Sequence, residues 1–106
     1  MKKLAVLFLF ILPFITKAIN YTSVANGNWS SSATWSPAGV PGSGDNVTIA
    51  TTVAVNATES VNNITINSGS TLTSNSTTLN IAGNFINNGT YTATGIAIIK
   101  FNGTAN

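Results

Sequence analysis

Apolar and polar residues alternate with a period of two through much of the chain after residue 46. The clearest runs are Val47-Thr48-Ile49, Val53-Ala54-Val55, Ile64-Thr65-Ile66 and Leu79-Asn80-Ile81. Each run is short, rich in Val, Ile and Thr, and bounded by Asn, Ser or Gly, which is the pattern of short β-strands. No stretch after residue 18 has the 3.6-residue period of a helix of ordinary length. The pattern predicts an all-β fold.

The second half of the chain contains an internal repeat. Ile66-Asn67-Ser68-Gly69-Ser70 matches Ile86-Asn87-Asn88-Gly89-Thr90 at a sequence offset of 20, and Leu79-Asn80-Ile81-Ala82-Gly83 matches Ile99-Lys100-Phe101-Asn102-Gly103 at the same offset. A period near twenty in a strand-rich chain predicts the coils of a parallel β-helix, also called a β-solenoid. The alternative is an antiparallel β-sandwich, which also has short alternating strands but does not require a fixed offset.

Equivalent residues of adjacent coils are predicted to stack. The expected structural ladder is Leu79 on Ile99 and Ile81 on Phe101 inside, Gly69 on Gly89 and Gly83 on Gly103 at corners, and Asn67 on Asn87. Stacked amides hydrogen-bond along such a ladder, although an Asn-Gly turn would use the same residues. Ile49 and Ile66 are separated by an offset of 17, as are Val55 and Leu72, which predicts a shorter first coil. About three coils fit between Val47 and Gly103.

Residues 19–45 differ from the alternating region and are predicted to form an N-terminal cap and loop, with residues 46–106 forming the coils. Trp29 and Trp35 bracket a Ser-rich segment, and the prolines and glycines of residues 37–44 exclude a helix or a central strand. The favoured interpretation is that both indoles cover the open end of the core. The other is that they stack on sugar rings as a glycan contact.

Residues 1–18 have the three parts of a secretory signal peptide: Lys2 and Lys3, the apolar run Leu4 to Ile15, and the cleavage site Thr16-Lys17-Ala18. The apolar run is shorter than the ~20 residues of a membrane-spanning helix. We therefore expect a mature chain that begins near Ile19, has no membrane span, and is secreted or held at the outer cell surface.

Cleavage would leave Lys100 against Asp45 and Glu59, a formal charge of −1, with no His, Cys or Arg. Nucleic-acid binding is not expected, because it requires clustered basic side chains. Catalysis is not expected either, since acid–base chemistry needs a titratable pair and nucleophilic chemistry needs a base. Glycoside hydrolysis would depend on Asp45, predicted to close a turn, and Glu59, predicted to lie in the polar link 56–60 between strands. No catalytic residue, cofactor or metal site is predicted.

Three segments resemble a known group of proteins: G-N-W-S-S-S-A-T-W-S, G-V-P-G-S-G-D-N-V-T-I and L-N-I-A-G-N-F-I-N-N-G-T. They are similar to the amino-terminal portion of large secreted, adhesin-like and haemagglutinin-like β-helix surface proteins of Bacteroidetes-type bacteria, often exported by the type IX route. They also resemble the start of the eight-glycine extracellular domain. The resemblance implies a right-handed parallel β-helix, with a role in adhesion or scaffolding and no catalytic residues. Members are far longer, so a fragment of a parent protein with further coils is expected.

Three functions follow as hypotheses. The favoured one is a non-catalytic structural or adhesive module whose partners are surface glycans or proteins of a host or neighbouring cell. The alternative is a carbohydrate-binding module, or part of a polysaccharide-active β-helix enzyme. The third is an ice-binding solenoid, for which Thr71-Leu72-Thr73 and the segment Thr90 to Thr94 are the relevant stretches. A regular T-x-T rank on every coil would be its signature, and the sequence shows no such rank.

Overall fold

The structure, a computed structural model, describes residues 17–103. The predicted signal peptide lies outside the described residues except for Lys17 and Ala18. In the described part, one 3₁₀ turn (Ser32–Thr34) accompanies the strands. The strands are β1 (Asn20–Ser23), β2 (Gly27–Asn28), β3 (Trp35–Ser36), β4 (Asn46–Ile49), β5 (Thr52–Val55), β6 (Glu59–Val61), β7 (Ile64–Ile66), β8 (Thr71–Asn75), β9 (Thr78–Ile81), β10 (Phe85–Asn87), β11 (Thr90–Thr94) and β12 (Ile98–Phe101). The all-β prediction is confirmed.

The strands form three sheets, with the orders β10-β7-β4-β1-β3, β11-β8-β5-β2 and β12-β9-β6. We call them sheets A, B and C. From β4 onward, consecutive strands of the chain lie in different sheets, and each pairs in parallel with the strand three places later. We call β4–β6, β7–β9 and β10–β12 tiers 1, 2 and 3. An antiparallel sandwich would pair most neighbours antiparallel, and in the described chain only β1 and β3 do so.

One hydrophobic core serves all three sheets. The alternation predicted from sequence appears as burial of every second residue in β4, β5, β7 and β9. The core residues are Tyr21, Trp29, Trp35, Val47, Ile49, Val53, Val55, Val61, Ile64, Ile66, Leu72, Leu79 and Ile81. Along these strands the buried residues alternate with residues that are less buried. The period-two pattern of the sequence therefore fixes which face of each strand points inward.

The offset between paired residues differs from sheet to sheet. In sheet C it is 20, with Leu79 paired to Ile99 and Ile81 to Phe101 as the internal repeat predicts. In sheet B the offset is 19 from β5 to β8 and again from β8 to β11. Leu72 therefore pairs with Val53, and the predicted offset of 17 between Val55 and Leu72 is wrong. In sheet A it is 17 between β4 and β7, as predicted for Ile49 and Ile66, and 21 between β7 and β10.

The predicted stacking of Asn67 on Asn87 and of Gly69 on Gly89 is wrong. Asn87 pairs with Ile66, and a Cβ at Gly89 would meet the carbonyl oxygens of Asn67 and Ser70. The cause is the corner between β7 and β8, where four residues separate the strands, against two between β10 and β11. Gly69, with φ of +85°, occupies the longer corner. Gly103 lies against the backbone of Ala82, which directly precedes Gly83. This position is close to the predicted stacking of Gly103 on Gly83.

The segment 19–45 contributes strands as well as a cap. β1 pairs in parallel with β4, and β2 pairs in parallel with β5, both at a sequence offset of 26. β3 then covers the outer edge of β1 in the antiparallel direction. The N-terminal edges of sheets A and B are therefore closed by short strands of this segment. In the described residues, no helix has the length and apolarity needed to cross a membrane.

Candidate functional site

Trp29 and Trp35, the candidate glycan contacts, lie inside the protein. Their exposed fractions are 0% and 2%, so neither indole presents a face on which a sugar ring could stack. The two rings meet edge to face at a centroid distance of 5.1 Å, and Tyr21 packs on Trp35 in the same way at 6.3 Å. The burial agrees with the favoured interpretation, in which the indoles cover the end of the core.

Both indole N–H groups have partners inside the cap. Nε1 of Trp35 donates to the carbonyl oxygen of Trp29 at 2.8 Å, and Nε1 of Trp29 donates to the carbonyl oxygen of Pro41 at 3.3 Å. A buried indole without an acceptor would cost stability, so these two bonds allow full burial. They also tie the Pro- and Gly-rich loop to the first strands.

Asp45 acts as the turn residue that the sequence predicts. One carboxylate oxygen accepts the backbone N–H of Gly42 at 2.9 Å, and the other accepts the N–H of Ile19 at 3.0 Å. These bonds hold the start of β1 beside the turn that leads into β4. The described residues contain no group of three or more His, Cys, Asp or Glu side chains that could hold a metal ion.

Glu59 lies in a strand, where the sequence had predicted a solvated link. It begins β6 and pairs with buried Leu79, which gives it an inward-facing position on the outer edge of sheet C. Burial raises the pKa of its carboxyl. Asp45 and Glu59 thus serve two separate elements, a turn and a sheet edge. That the chain is not an enzyme stays a prediction.

An asparagine ladder does exist, at residues that the repeat did not indicate. Asn46 Nδ2 donates to Asn20 Oδ1 at 2.9 Å, and Asn63 Nδ2 donates to Asn46 Oδ1 at 3.0 Å. The backbone N–H of Asn84 then donates to Asn63 Oδ1 at 2.7 Å. These asparagines lie where the chain enters the successive strands β1, β4, β7 and β10 of sheet A. The ladder satisfies polar groups where the chain turns, and we read it as structural.

The end of the stack at tier 3 is the least covered part of the core. Phe85, Tyr91 and Ile99 pack against the core but are only partly buried, and Phe101 is 62% exposed. Phe85 meets Phe101 and Tyr91 edge to face at centroid distances of 6.2 and 6.3 Å. β10, β11 and β12 each pair with one strand only within the described chain. This surface, which we call the tier-3 end, presents three strand edges around an apolar centre.

Comparison of the chain with protein-family models, with curated protein sequences and with solved structures found no match.

Proposed function

We propose that this chain is a non-catalytic structural module of an extracellular surface protein of the adhesin-like type. Its three tiers are coils of a right-handed parallel β-helix, and its tier-3 end carries further coils of the same parent protein. The observation that supports this most directly is the contrast between the two ends of the stack.

The N-terminal end has the features with which proteins protect a sheet edge. Sheets A and B end there in the two-residue strands β3 and β2, and the buried Trp29 and Trp35 cover the core. Sheet C ends in β6, where Glu59 places a carboxylate at an inward-facing position. Short edge strands and inward-pointing charges both oppose pairing with another strand.

The tier-3 end lacks this protection in the described residues. Its inward positions carry the aromatic and aliphatic residues Phe85, Tyr91, Ile99 and Phe101. β11 is five residues long, and β12 has Lys100 on its outer side only. β10 is only three residues long, but an unpaired edge with apolar inward side chains is a template for pairing in parallel with one more strand per sheet. In stacked folds, stability is roughly the sum of each layer and its interface with the next.

A test adds one coil. A second copy of residues 84–103, appended directly after residue 103, would place a new Phe85 equivalent after Gly103 with the spacing that tier 3 already has. We expect a higher melting temperature by circular dichroism. We also expect slower amide hydrogen exchange in β10, β11 and β12, because their free edges become paired.

The matched control appends the same segment in scrambled order, which keeps composition and length but removes the alternation. If the ordered and scrambled extensions give equal melting temperatures and equal exchange at β10–β12, the tier-3 end does not accept a further coil, and the proposal is wrong.

A further inference from the structure

The outward face of sheet B brings the two threonine-rich stretches of β8 and β11 into register with each other and with β5. The sequence identified those stretches but not this alignment. Thr52, Thr71 and Thr90 form one row across β5, β8 and β11, and Ala54, Thr73 and Thr92 form the next. We call the five threonines of these two rows the threonine array. A uniform offset of 20 would have set Thr71 beside Tyr91. The observed offset of 19 aligns threonine with threonine.

The threonine array has two fixed repeats. Neighbouring strands lie about 4.8 Å apart, and alternate residues of one parallel strand lie about 6.6 Å apart. The side chains point away from the core, since they alternate with the inward-facing Val53, Leu72 and Tyr91. Thr52, Thr90 and Thr92 are exposed, and Thr71 and Thr73 are half-buried.

The hydroxyls of the array are free to bind an external group. Among the described residues, the threonine side chains that donate hydrogen bonds to the protein are Thr34, Thr51, Thr77 and Thr94, none of which belongs to the array. The four charged residues of the described chain, Lys17, Asp45, Glu59 and Lys100, all lie outside β5, β8 and β11. The face is therefore neutral, and it combines methyl groups with hydroxyls at regular positions.

We propose that the threonine array binds the surface of ice. One threonine–water hydrogen bond contributes little net free energy, because it replaces another bond to water. Hydroxyls and methyls held in a rigid two-dimensional grid contribute more binding free energy than separate groups, because they are already ordered in the folded protein. This advantage requires a ligand that also repeats in two dimensions. Ice is neutral and periodic, with donors and acceptors at every lattice point. A crystalline polysaccharide is also periodic, but its recognition uses exposed aromatic faces, and the one aromatic of β11, Tyr91, points inward.

The test uses the purified chain in three assays: partition into slowly growing ice, thermal hysteresis, and retention on crystalline cellulose. Thr73→Tyr places a bulky ring in the centre of the array. Thr73→Val keeps the shape and strand preference but removes one hydroxyl. The control is Thr65→Tyr on the outward face of sheet A, where Thr65 is half-buried like Thr73. Thr65 belongs to a single row with Thr22 and Thr48, so this control compares one row of threonines with the two-row array. Circular dichroism melts verify that every variant is folded.

We expect the unmodified chain to enter the ice and to show hysteresis. Thr73→Tyr should lose most of both, Thr73→Val should lose part, and Thr65→Tyr should match the unmodified chain. Exclusion of the unmodified chain from ice overturns the proposal, and so does an equal loss in the Thr65 and Thr73 variants. Retention on cellulose that Thr73→Tyr abolishes, without ice binding, would assign the array to a polysaccharide surface and would also refute it. None of these outcomes depends on whether a further coil stacks on the tier-3 end.

Discussion

Replacing Trp29 with alanine tests how much of the stability depends on the cap. Trp29 is 0% exposed, and a buried aromatic of this kind removes roughly 150–250 Å² from water. At about 25 cal/mol per Å², that burial corresponds to ~4–6 kcal/mol, close to the ~3–5 kcal/mol measured when buried aromatics become alanine. The variant also loses the bond from Nε1 to Pro41. At ~0.05–0.15 kcal/mol per residue, the described part of the chain, residues 17–103, has a total stability of about 4–13 kcal/mol.

The assay is equilibrium urea unfolding followed by circular dichroism, because the substitution itself removes a fluorophore. We expect Trp29→Ala to lose a large part of the free energy of unfolding, or to be unfolded without urea. The control is Phe101→Ala, which also deletes an aromatic ring, but from a site that is 62% exposed, so its loss should be much smaller. A Trp29→Ala curve within ~0.5 kcal/mol of the unmodified chain, as is usual for surface substitutions, would refute the reasoning. So would an equal loss in Phe101→Ala.

Two further predictions concern polar groups. Burial raises the pKa of Glu59 above its ordinary value of 4.5, so the stability that its protonated form contributes is present below the unfolded pKa and lost as pH rises through the folded pKa. Glu59→Gln should therefore be more stable than the unmodified chain at neutral pH. The difference in melting temperature should shrink as pH falls through the raised pKa of the folded state, and it should be smallest below the ordinary pKa of 4.5; a difference that does not change with pH would contradict this. Asn63→Ala removes two bonds of the asparagine ladder, at about 0.5–1.5 kcal/mol each. Urea unfolding should show that loss for Asn63→Ala and little loss for exposed Asn67→Ala, and the ladder would have no structural role if the two variants unfold alike.

The sequence predicted the strands well because burial fixes their pattern. Val47-Thr48-Ile49 and Leu79-Asn80-Ile81 alternate because one face of each strand meets the core, and that requirement does not depend on the rest of the fold. The offset of 20 in sheet C was also predictable, since Leu79 and Ile81 are followed at that distance by Ile99 and Phe101. The same holds for the indoles, whose large apolar rings are on average highly buried.

The corners could not be read in this way. The identity match between residues 66–70 and 86–90 gives an offset of 20, but the structure divides it into 21 in sheet A and 19 in sheet B. The two additional corner residues between β7 and β8 account for that difference. A comparison of the sequence with itself gives one offset for the whole segment and therefore does not detect them. The ladder from Asn20 through Asn46 and Asn63 to Asn84 has offsets of 26, 17 and 21, so no search for a constant period would find it. The inward-facing position of Glu59 likewise follows from its pairing with Leu79, which the sequence does not specify.

This division between strands and corners also indicates where function can reside. The inward side chains of one tier pack on those of the next tier. A substitution at an inward position therefore affects the free energy of unfolding and leaves the outward surface unchanged. Corners absorb added residues, as the segment between β7 and β8 does, without disturbing the pairing of Leu72 with Tyr91. Outward positions are tied to neither constraint, since their side chains contact solvent and one another. A regular array at outward positions, such as Thr71 beside Thr90 and Thr73 beside Thr92, is therefore not required by folding. Strand preference explains why threonine is tolerated there, and the low charge of the chain leaves the face neutral. The register of β5, β8 and β11 is what turns these threonines into the periodic surface that a neutral, periodic ligand would require.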